Sequence, residues 1–162
     1  MMTYRKALFF VFLMTVAAVM VSCYLQYVQG MNPCVLCIVQ RVAVIFTGLI
    51  ALLCLLLPLQ KPIFRGVAAM ASSLVPIGGL GVALYQIYIQ SLPITEQPSC
   101  GAPWTFRLQD APLFHWYEPI IRGTGNCGEV LRLFGLSLPT WSALFFTAVL
   151  AWLWLMLKYT RK

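Results

Sequence analysis

Charge is what this chain has least of. Only 9% of its 162 residues are Asp, Glu, Lys or Arg, where a soluble globular protein carries about 25%. That shortage excludes an ordinary soluble domain and places the chain in lipid. Acid is scarcer still. The four carboxylates, Glu96, Asp110, Glu118 and Glu129, all fall in one polar stretch, and His115 is the single histidine. A lone histidine on an amphipathic face reads as an interface residue and stays outside the catalytic set. Metal chemistry is not expected. A c-type haem needs Cys-x-x-Cys-His, but residue 38 is Ile, and a zinc knuckle wants a second close cysteine pair, whereas Cys100 and Cys127 are far apart. Nor is nucleic acid an expected partner, despite a net charge of +7. Arg5, Lys6, Lys61, Arg65, Lys158, Arg161 and Lys162 flank apolar runs, as charges that set orientation in a membrane do.

Hydrophobic residues make up 61% of the chain. A helix needs about 20 of them in a row to cross the hydrocarbon. The runs predict an all-α membrane protein, a four-transmembrane-helix bundle forming one domain over 1–162. Its spans are expected at about 7–26, 37–57, 66–90 and 139–157, with loops at about 27–36 and 91–138. The first run is too long for a signal-peptide core and lacks a clear cleavage site. Cys23 and Cys54, inside apolar runs, read as packing residues. The third span carries Pro76, Gly78, Gly79 and Gly81, small residues that let helices approach closely in lipid or make room for a flat ligand. In the long loop, Leu113, Trp116, Tyr117, Ile120 and Ile121 recur at helical spacing. They predict a short amphipathic helix on the membrane surface, interrupted by Pro119. Gly123 to Gly128 then reads as a flexible tether around Cys127. Four spans with basic termini inside put Cys34, Cys37, Cys100 and Cys127 on one outer face, as suits the oxidising side of a membrane such as a bacterial periplasm.

Cys34 and Cys37 form a Cys-x-x-Cys pair where the second span begins. Unpaired N–H groups and the positive end of the helix dipole favour a thiolate there. Arg41 follows Cys37 at the i,i+4 spacing, which puts a cation on the same helix face. An ionisable side chain at membrane depth is a functional candidate by default. Four cysteines allow three pairings. Cys34–Cys37 with Cys100–Cys127 is the simplest, and an interloop bridge remains open. Gln86, with Tyr85 and Gln90 near the outer end of the third span, offers hydrogen bonds to a ligand carbonyl. The whole reads as a membrane redox centre able to pass electrons to an apolar acceptor.

The stretch Asn-Pro-Cys-Val-Leu-Cys-Ile-Val-Gln-Arg (32–41), the second-loop cysteine pair and Phe134-Gly135-Leu136-Ser137-Leu138-Pro139-Thr140-Trp141 resemble the DsbB family of bacterial disulfide-forming oxidases. The resemblance covers nearly the whole chain. It implies a quinone-dependent protein-dithiol oxidase that reoxidises a periplasmic, thioredoxin-fold DsbA-like donor. Reduced donor would attack Cys100, Cys127 would engage Cys34, and freed Cys37 would react as a thiolate with ubiquinone, or with menaquinone without oxygen. Arg41 would stabilise the negative charge, and electrons would leave through the membrane quinone pool. Some members carry a histidine near the end of the third span where this chain has Gln86, the second expected quinone-binding residue. The alternatives are a vitamin K epoxide reductase-like protein, whose Cys-x-x-Cys lies in the last helix of its bundle, a DsbI-type oxidase with a dedicated partner, and a membrane scaffold with structural disulfides.

Overall fold

The computed structural model describes residues 3–161; Lys162 of the basic tail lies outside them. Long helices are α1 (Tyr4–Tyr27), α2 (Val35–Cys54), α3 (Pro62–Ser91) and α6 (Leu138–Arg161). Between α3 and α6 come the short helices α4 (Trp104–Arg107) and α5 (Phe114–Ile121). A hairpin of β1 (Arg132–Leu133) and β2 (Leu136–Ser137) follows them. Among the described residues, four helices are long and apolar enough to cross a membrane. Their outward faces confirm the solvent they need. Met20, Leu53, Met70 and Leu74 are each more than 60% exposed, a display of apolar surface that water does not tolerate over a whole bundle.

The fold is thus the expected all-α membrane bundle, with α1 packed on α2, α2 on α3, α3 on α6, and α6 back on α1. Lys61 precedes α3 as its N-cap and Pro62 takes the first helical position, where its missing N–H leaves no gap in the ladder. The second helix ends at Cys54, with Leu55 to Leu57 in turns before Pro58, so it is shorter at that end than the apolar run. At this end of the bundle Tyr4, Leu8, Ala51, Ala68, Leu153 and Leu157 form the larger core. Ser72 Oγ lies 3.7 Å from Cys54 Sγ there, and Cys54 is packed within that core. Two of the basic residues close helix ends by hydrogen bonding. Arg5 donates to the carbonyl of Leu55, 3.1 Å away, just past α2, and Arg65 donates to the carbonyl of Thr160 near the end of α6. Cations at helix C-termini satisfy orphan carbonyls and oppose the dipole.

The three mid-span glycines of α3 separate by role. A side chain on Gly79 would run into the ring of Phe146, which is fully buried on α6, whereas Gly78 and Gly81 face open space. Close approach of α3 and α6 therefore rests on Gly79. Pro76 is buried within the same helix. Gly79→Val should destabilise the bundle by about 1–3 kcal/mol through overpacking. Gly78→Ala should stay within about 1 kcal/mol of the parent. Thermal unfolding midpoints in detergent measure both, and equal midpoints for the two variants would contradict the assignment.

Candidate active site

Cys34 is the N-cap of α2, with extended backbone, and its sulfur accepts the N–H of Cys37 at 3.2 Å. This is a helix N-cap made by sulfur in place of the usual oxygen. The two sulfurs stand 2.8 Å apart as hydrogen-bonded thiols, and Cys100 and Cys127 are joined as a disulfide. Cys34 precedes the membrane span. Its hydrogen bond to Cys37, aided by burial, pushes the thiol far above the ordinary range, so Cys34 holds its proton.

The segment between α3 and α6 is pinned to the one between α1 and α2. Gly125 N–H donates to the carbonyl of Pro33 at 3.1 Å, forming a parallel bridge beside Cys34. Asn32 exchanges two side-chain bonds with Thr124, at 2.7 and 3.1 Å. A Cβ on Gly123 or Gly125 would strike the backbone of Pro33 or Asn32. These glycines serve close approach, and the stretch expected as a flexible tether is instead a docked one. Docking buries Cys127 completely in one cluster with Cys34 and Val35, against which Cys37, Cys100 and Trp104 pack. Trp104 Nε1 donates to the carbonyl of Val35 at 3.2 Å, and the Arg107 guanidinium lies over its ring at 5.2 Å. All four cysteines expected at the site are thereby brought together at one end of the bundle.

Arg41 is buried, and its hydrogen bonds run away from sulfur. Nε donates to Ser22 Oγ at 2.9 Å, while one terminal nitrogen donates to Gln26 Oε1 at 2.6 Å and to the carbonyl of Ile120 at 3.0 Å. Gln26 in turn donates to the carbonyl of Arg122 at 2.8 Å. The guanidinium therefore ties α2 to α1 and, both directly and through Gln26, to the C-terminal end of α5. That helix runs through Pro119 to Ile121 without the expected interruption. Its free carbonyl at Pro119 accepts from Tyr27 Oη.

A cavity of about 390 Å³ opens between α1, α2 and α6, lined by apolar side chains of all three and roofed by the hairpin. The sulfur-bearing Cys37, Gln40 and Arg41 from α2, with Ser22 and Gln26 from α1, give one wall its polar groups. Phe134 and Gly135 form the hairpin tip, both at positive φ, with Phe134 91% exposed at the cavity's rim. Trp141 Nε1 holds the hairpin by its 2.9 Å bond to the carbonyl of Leu133. Gln86 reaches the inner sulfurs from α3. It is buried against the sulfurs and lines a narrow water-sized cleft with Cys34, Cys37 and Glu129, and it is not among the residues lining the larger cavity. Its amide nitrogen donates to Cys34 Sγ at 3.1 Å and Cys37 Sγ at 3.3 Å. Gln40, which stands outside the expected set, donates to Gln86 Oε1 at 2.7 Å. The signal for Gln40 was available, since a buried amide within an apolar span is costly unless it has a partner.

Fold and site define a class: a helical membrane protein whose clustered cysteines lie between an outer polar segment and an apolar cavity among the helices. The family profile described as "Disulfide bond formation protein DsbB" matches residues 4–156. Disulfide bond formation protein B of Neisseria gonorrhoeae is 46% identical over 151 residues, 93% of each chain. The protein of the same name from Chromobacterium violaceum is 34% identical over 157 residues, covering 94% of this chain and 93% of its own. The chain belongs to the DsbB family, and is an oxidoreductase of disulfide bond formation with transmembrane helices.

Replacing Arg41 by Met should strand the Ile120 carbonyl and the Gln26 amide, at about 1–3 kcal/mol. Hydrogen exchange across residues 114–122 should accelerate about tenfold, the equivalent of about 1.4 kcal/mol. Unchanged exchange there would show that α5 is held without the guanidinium.

Proposed function

We propose that the protein reoxidises a periplasmic DsbA-like dithiol protein and passes the two electrons to a membrane quinone. One observation carries this reading. Cys34 faces the buried Cys127 of the outer segment, while Cys37, three residues on, lines the apolar cavity that Arg41 also lines. A pair of sulfurs so placed has one side toward protein disulfides and the other toward lipid-soluble molecules.

The polarity of the cavity suits a quinone headgroup. Its apolar walls match a flat ring with an isoprenoid tail, and Arg41, Gln26 and Ser22 offer a cation and hydrogen-bonding groups to ring oxygens. When bound, the quinone supplies an acceptor for two electrons and two protons. The chain's own residues do the rest. A donor thiolate attacks Cys100, the Cys100–Cys127 bond breaks, and the Cys127 thiolate leaves. With the inner pair oxidised, Cys127 attacks Cys34 and expels Cys37 as the thiolate toward the cavity. The second donor thiol then releases oxidised donor from Cys100, and Cys100 recaptures Cys127, leaving Cys34 and Cys37 reduced. Two electrons have then moved from donor to inner pair, and each thiolate attack exchanges one disulfide for another. Arg41 stabilises negative charge on the cavity side. Cysteine-bearing loops face the periplasm and both termini the cytoplasm, with Arg5, Lys61 and Arg65 on the basic side, as expected of an inner-membrane protein.

In purified protein with a reduced DsbA-type donor and ubiquinone, Cys100→Ser should abolish donor oxidation. Cys37→Ser should abolish quinone reduction while leaving exchange of donor thiols with the Cys100–Cys127 disulfide intact. Normal turnover in both would refute the relay. Ala18→Phe, which intrudes on the cavity from α1, should raise the quinone KM about tenfold or more, a loss of about 1.4 kcal/mol or more of binding. Donor–Cys100 exchange should proceed at its parent rate. An unchanged KM would place the quinone elsewhere.

A further inference from the structure

The hydrogen bonds around the inner sulfurs have a direction, and Gln40 sets it. A primary amide has one accepting and one donating end, and rotation by half a turn exchanges them. Gln86 is buried with 1% of its surface exposed and has both ends in use. Its nitrogen serves both sulfurs, at 3.1 and 3.3 Å, and its oxygen takes the Gln40 amide proton at 2.7 Å. Gln40 is itself 3% exposed. That oxygen also accepts from the Cys37 thiol at 3.7 Å, a longer contact than either nitrogen–sulfur one. With Gln40 presenting its nitrogen, the turned state would bring two amide nitrogens together. That contact is unfavourable, so Gln40 favours the orientation that points the Gln86 N–H groups at both sulfurs.

Resting on the redox reading of the Cys34–Cys37 pair above, we infer that Gln40 is a positioning residue. By locking Gln86 with its N–H groups toward both sulfurs, it makes the pair more oxidising. A thiol or thiolate sulfur gains more from an N–H donor than a disulfide sulfur, because it carries more negative charge. The clamp therefore stabilises the reduced form, and stabilising the reduced form is how a dithiol pair becomes a stronger oxidant. Both groups are amides, so the effect carries no titration of its own. This assignment gives Gln86 a partner in sulfur and Gln40 a task beyond packing.

The test equilibrates the full chain with mixtures of reduced and oxidised glutathione. The reaction is balanced: one oxidised glutathione and the dithiol give two reduced glutathiones and the Cys34–Cys37 disulfide. The Cys34–Cys37 state is read by thiol trapping and peptide mass in the parent, Gln40→Leu, Gln86→Leu and the double variant. Gln86→Leu should shift the equilibrium about tenfold toward the disulfide, equivalent to about 30 mV. Gln40→Leu should shift it the same way by about threefold or more, and the double variant should match Gln86→Leu alone. An unmoved equilibrium in Gln40→Leu, or independent effects that multiply in the double variant, would overturn the role given to Gln40. A parent pair that never closes in any mixture would instead remove the redox reading itself. Should the variants fail to fold, the unaltered protein labelled with ¹⁵N-glutamine decides the matter. The side-chain amide signals of both Gln86 and Gln40 should move when the pair is oxidised, and Gln40 signals that stay in place would overturn the inference.

Discussion

A buried polar group in lipid has no water to fall back on, so it must find its partner within the protein. The arrangement of this bundle follows from that constraint. Apolar surfaces alone do little to choose between helix packings in hydrocarbon. Here Arg41 reaches Ser22 and Gln26 on α1, Gln40 reaches Gln86 on α3, and at the far end Arg5 and Arg65 reach the ends of α2 and α6. Each of these bonds ties one long helix to another or to its end. Together they hold α2 at the centre of the polar network, and α2 is the helix that opens with the two thiols.

The same constraint divides the molecule into two ends with different physics. The basic end is closed by the larger apolar core, where Leu8, Ala51, Ala68 and Leu153 leave no room between helices. At the cysteine end α1 and α6 part around the cavity, and an outer segment with little regular structure takes over the packing. That segment gains its order from backbone bonds between Pro33 and Gly125 and from the Asn32–Thr124 pair. Docking brings Cys127 to Cys34 while Cys37 remains at the cavity wall. Two neighbouring sulfurs in one helical turn thus belong to different surroundings, one proteinaceous and one apolar.

Arg41 and Gln86 both make hydrogen bonds that their spacing along the chain does not reveal. The i,i+4 spacing puts Arg41 on the face of Cys37, and both line the cavity. Yet the guanidinium spends its hydrogen bonds on Ser22, Gln26 and the end of α5, and so ties the surrounding helices together. Gln86 reaches the sulfurs from the other side and is held there by Gln40. The polar groups around the pair therefore come from three helices, and each has a partner.

Much of the protein was legible along the chain. Four long apolar runs, basic ends and a Cys-x-x-Cys at the mouth of the second run determined a helical membrane protein with thiol chemistry at one face. Run length and polarity act locally and need no knowledge of neighbours. Helix limits were less legible: α2 stops at Cys54 although the apolar run continues, because the bend toward Pro58 ends the ladder first. What tertiary structure alone decided is which groups meet. Gly79 rather than Gly78 or Gly81 faces Phe146, since helix rotation is set by packing against α6. The glycines near Cys127 lie against Pro33 and Asn32, a contact that composition cannot distinguish from looseness. Gln40 and Gln86 lie far apart in sequence, and only the packing of α2 against α3 turns two isolated amides into one oriented pair over the sulfurs.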